Sequence, residues 1–597
     1  MGAIQHQQPW PQAPVGNKDH TQATVVIIGA GFSGVCMAID LIKRNQCHNF
    51  IILERSSGVG GTWNDNKYPG CCCDVWSILY SYSFEQNPDW SREYPGQEEI
   101  LDYLRNVAQK YQLYKYIRFN SSVEAASWND GAAQWKVDVK VTGEKDSEFS
   151  PAYSIQCDFL VSAVGQLNQP HYPDIEGLED FKGKVMHSAR WDWSYNLEGK
   201  RIGVIGNGAT AAQIIPEIVP TSESVTVYQR TPNWVVPRLD GPISSFRRFL
   251  YRYVPPIRWR GRALSMDYRE QFYHAVTDSQ SPHAQLVRTE CKKLMEKHFP
   301  GRPDMWEKLL PNYSPGCKRV IICDDYYPAI ASPKSVLETD KIVRIDETGV
   351  QVSSDDGEIK HHDHDLLVLA TGFRSVQFLY PLKITGAGGR PLTEIWEGGA
   401  SALYGTTVPD LPNFGIFYGP NTNLGHNSIV LMIEAQSRYL NGMVKAVLDA
   451  RDRGERIGII PKKSRTDEFN DKIQEILRNS SFADPACNSW YKTDDGKITN
   501  NWSGTVVEYQ KKMSKVDWED YEIITAEEDA GKTAIKQRIN ASKVVFGDGK
   551  KESSVGWVRE ESVISDTGLL LGAASIAAMG TAWAFRSKLP KGLGLAR

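Results

Sequence analysis

The sequence predicts an α/β protein with two Rossmann-like domains, a helical insertion in the second, and a C-terminal transmembrane helix. Three observations predict it. Two glycine-rich turns, Gly29-Ala30-Gly31-Phe32-Ser33-Gly34 and Gly206-Asn207-Gly208-Ala209-Thr210-Ala211, each follow an apolar, β-branched run and open a helical pattern. Two further apolar runs, 159–164 and 366–370, end in small-residue turns at Gly165 and Gly372, as the late strand of such a unit does. An uncharged stretch, 567–585, lies near the end of the chain.

At 597 residues the chain is too long for one core. A hydrophobic content of 41% with 23% charged residues is that of a folded globular protein. The net charge of −4 gives no basic field, which argues against nucleic acid as a partner. The ten cysteines show no disulfide framework, so thiols in a reducing compartment are expected. Residues 1–20 read as a disordered arm without the apolar core of a secretory signal.

In the first unit, strand 24–28 feeds the turn, a helix follows through 35–44, and strand 50–53 leads to Glu54. Gly29 makes the turn, Gly31 lets the backbone approach a pyrophosphate, and Gly34 lets helix and strand pack closely. The helix N-terminus offers N–H groups to the phosphates. Glu54 stands where a carboxylate accepts from ribose hydroxyls. In the second unit, strands 201–205 and 224–228 flank the turn, and Gln229-Arg230-Thr231 occupies the place of that acid. Arg230 there attracts a 2′-phosphate, which predicts NADPH over NADH; the alternative is an ordinary surface charge. Two such units imply two dinucleotides facing one another so that a hydride passes between them, as in a flavin enzyme that uses nicotinamide.

The expected organisation is an FAD-binding domain over 21–165 and 396–525, with an NADP-binding domain between them over 166–395. The latter carries a helical insertion at about 235–332. A charged linker over 526–566, the transmembrane helix over 567–585 and a basic tail over 586–597 complete it. The apolar stretch would span ~28 Å as a helix. The catalytic domains would then be membrane-anchored on the cytosolic side, in an organelle the sequence does not choose; the alternative is a buried or amphipathic helix. The run His361-His362-Asp363-His364 reads as a solvated loop, and no metal site is expected. Cys71-Cys72-Cys73 lacks the C-x-x-C spacing of a redox pair. The stretch 419–428 is read either as lining of an active site or as a plain turn and helix cap.

Three separated motifs resemble the type I Baeyer–Villiger monooxygenases, over about residues 20–525. They are Phe181-x-Gly183-x-x-x-His187-x-x-x-Trp191-Asp192; Gly60-Gly61-Thr62-Trp63 with Tyr68-Pro69-Gly70 and Asp74; and Lys318-Arg319 ahead of Asp324-Asp325-Tyr326-Tyr327. The resemblance implies that FAD is held by the first turn with Ser33, Glu54, Thr62, Trp63, Asn64, Asp65, Asp74, Val75, Tyr80 and Val123. It places Cys72, Cys73 and Asp74 on the nicotinamide side. NADPH would be bound by Gly206, Asn207, Gly208, Ala209, Thr210, Ala211, Ala212, Arg230, Thr231, Lys318 and Arg319. It implies that Arg319 is the catalytic arginine with Asp74 as its partner; the signature around His187, in an inter-domain linker, is read as coupling the two domains, with a direct part in the chemistry as the alternative. Trp502-Ser503-Gly504 departs from the family's Trp-Pro-Gly, which leaves the substrate-facing loop open.

The implied reaction inserts one oxygen atom of O2 beside a ketone carbonyl through a flavin C4a-peroxide, on a lipophilic secondary-metabolite ketone. It needs a fixed cation that stays charged, which an arginine supplies, and an environment that excludes water. Asp74 can orient that guanidinium through paired hydrogen bonds. Oxidation of sulfur or nitrogen, and a non-catalytic membrane-bound flavoprotein, are the alternatives.

Overall fold

The computed structural model describes residues 21–142, 151–487, 489–493, 495–529, 532–543, 551–562 and 575. Its first sheet has eight strands. Seven run in the order Lys383–Thr385, Ser121–Asn129, Gln134–Val141, Ala152–Ser162, Gln22–Ile28, Phe50–Leu53, Ile117–Arg118, and Phe414–Ile416 adds to Ala152–Ser162. Gln22–Ile28 pairs in parallel on both sides, Val25 with Phe50 and with Phe159, and every residue of it but the first is buried. That double burial is why the run reads as continuously apolar rather than alternating.

Helix Phe32–Asn45 packs against the much later helix Ile429–Asp452. Ser437 donates to Asp40 (2.7 Å) and the Asn45 amide to the Asn441 carbonyl (3.0 Å), so residues 429–452 close over the first sheet. The second sheet is wholly parallel, in the order Ser335–Glu338, Ser224–Tyr228, Arg201–Ile205, Leu366–Leu369, Lys184–His187. Helices Ser245–Tyr253, Pro255–Gln271, Pro282–His298 and Pro303–Leu309 intervene between Val235–Val236 and Ile321–Ile322, which pair in parallel.

Four readings of the sequence meet a different structure. Among the described residues no helix is long and apolar enough to cross a membrane. Residues 567–585 lie outside them except for Ser575. The transmembrane helix and the membrane-anchored location are therefore withdrawn: lack of charge set the expectation, but so many of these residues are Ala and Gly that the stretch is only mildly apolar. Residues 526–566, read as a linker, contain strands. Tyr521–Asp529 and Lys532–Asn540 form a hairpin on Ile457–Pro461, and Glu552–Ser554 pairs with Lys515–Asp517. Beyond these, Glu560 is buried against Arg262, and the Ser562 N–H donates to Asp267 (3.0 Å). His361 to His364 is not a loop: Ile359–Asp363 is a strand paired with Gly349–Ser353, and His364 is buried against the Tyr228 hydroxyl (2.7 Å). Finally, Cys317 and Cys487 form a disulfide across a separation of 170 residues, which no local spacing reveals.

Candidate active site

The first turn is sterically committed. Gly29 has φ +107°, and a Cβ there would lie 2.6 Å from the Ala163 carbonyl oxygen; one at Gly34 would lie 1.9 Å from that of Gly29. Gly31 caps helix Phe32–Asn45 without any side-chain bond, leaving the helix N-terminus to a ligand. The buried Glu54 carboxylate accepts from the Ala30 N–H (2.7 Å) and the Ser56 N–H (2.8 Å). Burial raises its pKa against the pull of those bonds. The Gly60 N–H donates to the Ala30 carbonyl, the Ser56 hydroxyl to Asp65 (2.7 Å), and the Trp63 indole to the Tyr80 hydroxyl (3.2 Å). The turn, the short helix Thr62–Asp65 and Tyr80 thus form one surface; Val75 lies buried, and Val123 half-buried on Ser121–Asn129.

The second turn is more open. Gly208 caps helix Ala209–Ile218, again without a side-chain bond, and a Cβ there would meet nothing within 4 Å. Ala211 and Ala212 are buried beneath it, while Ala209 is exposed and Thr210 half-buried. The Asn207 amide donates to Gln229 (2.8 Å) and to the Thr231 carbonyl (2.9 Å), and Lys318 Nζ donates to the Thr231 hydroxyl (2.7 Å). Burial, then the neighbouring charge of Arg230, lowers the Lys318 pKa to about 8. Two cations held close enough to repel make a place where an anion is favoured.

Between the turns runs the loop 68–74. The Tyr68 hydroxyl donates to Gln213 (3.0 Å), and the Gln213 amide donates to the Cys72 carbonyl (3.1 Å). Gly70 has φ +74°, and a Cβ there would lie 2.4 Å from the Gln213 carbonyl oxygen. The Cys72 thiol, pushed up to about 11 by burial, accepts from Arg238 (2.9 Å), and Cys73 is buried and raised as well. Both stay protonated thiols.

Next in the chain, Asp74 meets Arg319. Arg319 Nη2 donates to Asp74 Oδ1 (2.7 Å), Nε donates to Oδ2, and Nη1 donates to the Leu424 carbonyl (3.1 Å). Burial works to raise the Asp74 pKa, and the guanidinium outweighs it, so the carboxyl sits below its usual range. Burial likewise works against the charge on Arg319, and Asp74 more than restores it. The pair lies deep in the chain, yet 27% and 26% of the two side chains remain accessible. Tyr418 and Tyr491 feel the charge of the guanidinium, yet burial raises both phenols, Tyr491 to about 12. Arg269, from the insertion, donates to the Asp74 carbonyl (2.8 Å).

The signature residues lie elsewhere. His187 ends strand Lys184–His187, buried, with its pKa lowered to about 4 chiefly by burial, and Nδ1 accepts from the Ala189 N–H (3.1 Å). Lys184 is paired with Asp192 (2.6 Å), and a Cβ on Gly183 would strike the Phe181 ring. Trp191 packs on the core of the second sheet, and Trp193 donates to the Lys67 carbonyl (2.7 Å). None of these contacts reaches Arg319. Residues that sequence reasoning did not single out are Gln213, Arg238, Arg269 and Tyr491. Each comes from an element whose neighbours are set by the tertiary fold, and no motif marks it.

The flavin-binding monooxygenase-like family model matches residues 22–245. A FAD-binding monooxygenase, ktnD, of Aspergillus niger is 52% identical, over 95% of this chain and 90% of its own length. A Baeyer–Villiger monooxygenase of Streptomyces coelicolor is 37% identical, over 85% and 93%. The chain is a Baeyer–Villiger monooxygenase. Among solved structures it is similar to OTEMO in complex with FAD and NADP, with TM-score 0.71, 26% identity, and 82% of this chain and 97% of that one covered. It is also similar to an oxidized steroid monooxygenase bound to NADP, with TM-score 0.70, 28% identity, and 83% and 97% covered.

Proposed function

We propose that this Baeyer–Villiger monooxygenase binds FAD on the first turn and NADPH on the second, and directs oxygen insertion beside a lipophilic ketone carbonyl through Arg319. The residues fit both cofactors. Two helix N-termini lack side-chain caps, and the bare Gly208 leaves room for a pyrophosphate. Arg230, Thr231 and Lys318 suit a 2′-phosphate. When bound, NADPH supplies the hydride and FAD the activation of O2.

The chain's own work is electrostatic. Arg319 is held by two bonds to one carboxylate, so its plane is fixed while part of its surface remains free. A guanidinium so placed binds a carbonyl oxygen and stabilises the negative charge that develops on it. Asp74 orients that group and keeps it protonated at every working pH. Cys72 and Cys73, held as thiols, line the site without redox work. The bidentate Arg319–Asp74 pair is the observation that carries this reading. Arg319→Ala is expected to lower ester formation by about 10²–10³-fold while FAD stays bound. Product analysis with a ketone checks it, and undiminished ester from this variant removes the role assigned to Arg319.

A further inference from the structure

The disulfide between Cys317 and Cys487 is the one covalent link the sequence did not suggest, and it lies beside the residues that do the chemistry. Cys317 immediately precedes Lys318 and Arg319. Cys487 lies four positions before Tyr491, a buried phenol that feels the charge of the Arg319 guanidinium. Both sulfurs are buried, at 0% and 4% exposure, in an apolar cluster with Trp234, Val287, Cys291 and Tyr313.

The two segments it joins also meet in that apolar cluster and in a hydrogen bond. The Ser314 N–H donates to the Asp484 carboxylate (2.7 Å). Lys492 donates back within its own segment, to the carbonyls of Asp484 (3.0 Å) and Cys487 (3.2 Å). On the other side, Tyr313 fixes the approach to Lys318: its hydroxyl donates to the Pro232 carbonyl (2.9 Å), and Lys318 Nζ stands 5.1 Å from its ring centre. The bridge therefore ties the segment bearing the 2′-phosphate lysine and the arginine to the segment bearing Tyr491. Pro485 and Ala486, just before Cys487 in the chain, are exposed.

We propose that Cys317 and Cys487 are a positioning pair for oxygen insertion: their disulfide fixes Lys318 and Arg319 against the 480–492 segment, and opening it loosens NADPH binding and uncouples NADPH use from ester formation. This rests on the roles given above to Lys318 and Arg319. The switch balances simply. An external dithiol gives two electrons and two protons, the S–S bond breaks, two cysteine thiols form, and the dithiol becomes a disulfide. Hydrogen peroxide reverses it, taking the two electrons and two protons to leave two waters.

The test uses the FAD-loaded protein, purified without reductant. Digestion after thiol blocking should yield a linked peptide pair containing residues 317 and 487; recovery of both as blocked thiols overturns the proposal. Dithiothreitol should then raise the Kd for NADP+, read from the flavin spectrum, about tenfold, the scale expected when a binding group is misplaced. Peroxide released per NADPH consumed with a good ketone should rise several-fold, and peroxide treatment should restore both values. Cys487→Ser, without dithiothreitol, should match the reduced protein; if it does not fold, the chemical reduction stands alone as the test. Equal Kd and equal coupling in both states overturn the proposal. Arg319→Ala measured alongside separates the failures. If it abolishes ester formation while the bridge state changes nothing, only the bridge loses its role; if it still makes ester, the reading of Arg319 falls.

Discussion

Lys318 carries a consequence for pH. Its pKa of about 8 is low because burial and Arg230 both disfavour the charged form. The ammonium is the form that attracts a phosphate, so binding is strongest below pH 8 and is lost as pH rises through it. The KM for NADPH should climb by about tenfold per pH unit above that value, because each unit removes a tenfold share of the ammonium. In Lys318→Ala the KM should be raised throughout and nearly flat with pH. A steady-state series with NADPH and NADH checks this, since NADH lacks the phosphate and should show little of the slope. Arg319 should contribute no slope, because Asp74 keeps it charged. How much of this the sequence showed differs by residue. Glycines at 29 and 34 were legible because the clash that demands them is local to one turn. Arg319 and Asp74 were paired only through family resemblance, as 245 positions separate them and no periodicity links such residues. Arg269 and Gln213 carried no signal at all: their roles exist only once helices from the insertion and the second sheet are set against the loop 68–74.

Among the elements, that loop is the hinge of the design. It meets helix Ala209–Ile218 through Gln213, which bonds both Tyr68 and Cys72, and through Gly70, which admits the helix backbone at close range. Gly70→Ala must push the loop off the helix or strain φ, and Asp74 lies four residues on. FAD should remain bound, and kcat for ester formation should fall by about 10–10²-fold, the scale of a misplaced catalytic group. Flavin absorbance with turnover measurements checks it; an unchanged kcat would show that the close approach is incidental. The misread elements have physical reasons too. Strand Ile359–Asp363 is largely exposed and polar, so it lacks the apolar alternation that announces a strand, and its pairing with Gly349–Ser353 is what makes it one.

For the molecule as a whole, strand Glu552–Ser554 and the residues after it up to Ser562 pack on the rest of the described protein. Glu560 brings a carboxylate into a buried group with Arg262, Glu434 and Arg438. Burial, then Glu560, raises Glu434 to about 7. Since this folded pKa exceeds that of a carboxyl in the unfolded chain, its contribution to stability is full at acid pH and is lost as pH rises through about 7. Arg262→Ala leaves two buried carboxylates without their common partner, and it should cost about 3–5 kcal/mol. The loss should be smaller at pH 6 than at pH 8, as chemical denaturation at the two values would show; equal losses would mean that the cluster is relaxed by water. The sequence hid this because the charges of 526–566 suggest solvent, and only the docking of Glu560 on the insertion reveals an interior one.

The parallel run of the second sheet has a separate result. Its five strands all leave the sheet on one rim, so Gly206, Gly372 and Arg230 share a border while Arg319 sits on a different segment. On the proposed reading, preference for one nicotinamide coenzyme over the other is shared between Arg230 and Thr231 on that border and Lys318, whose chain neighbour is Arg319. A lineage that changes its electron donor by altering only the border residues would keep its repertoire of products, whereas a change at residue 318 would disturb both.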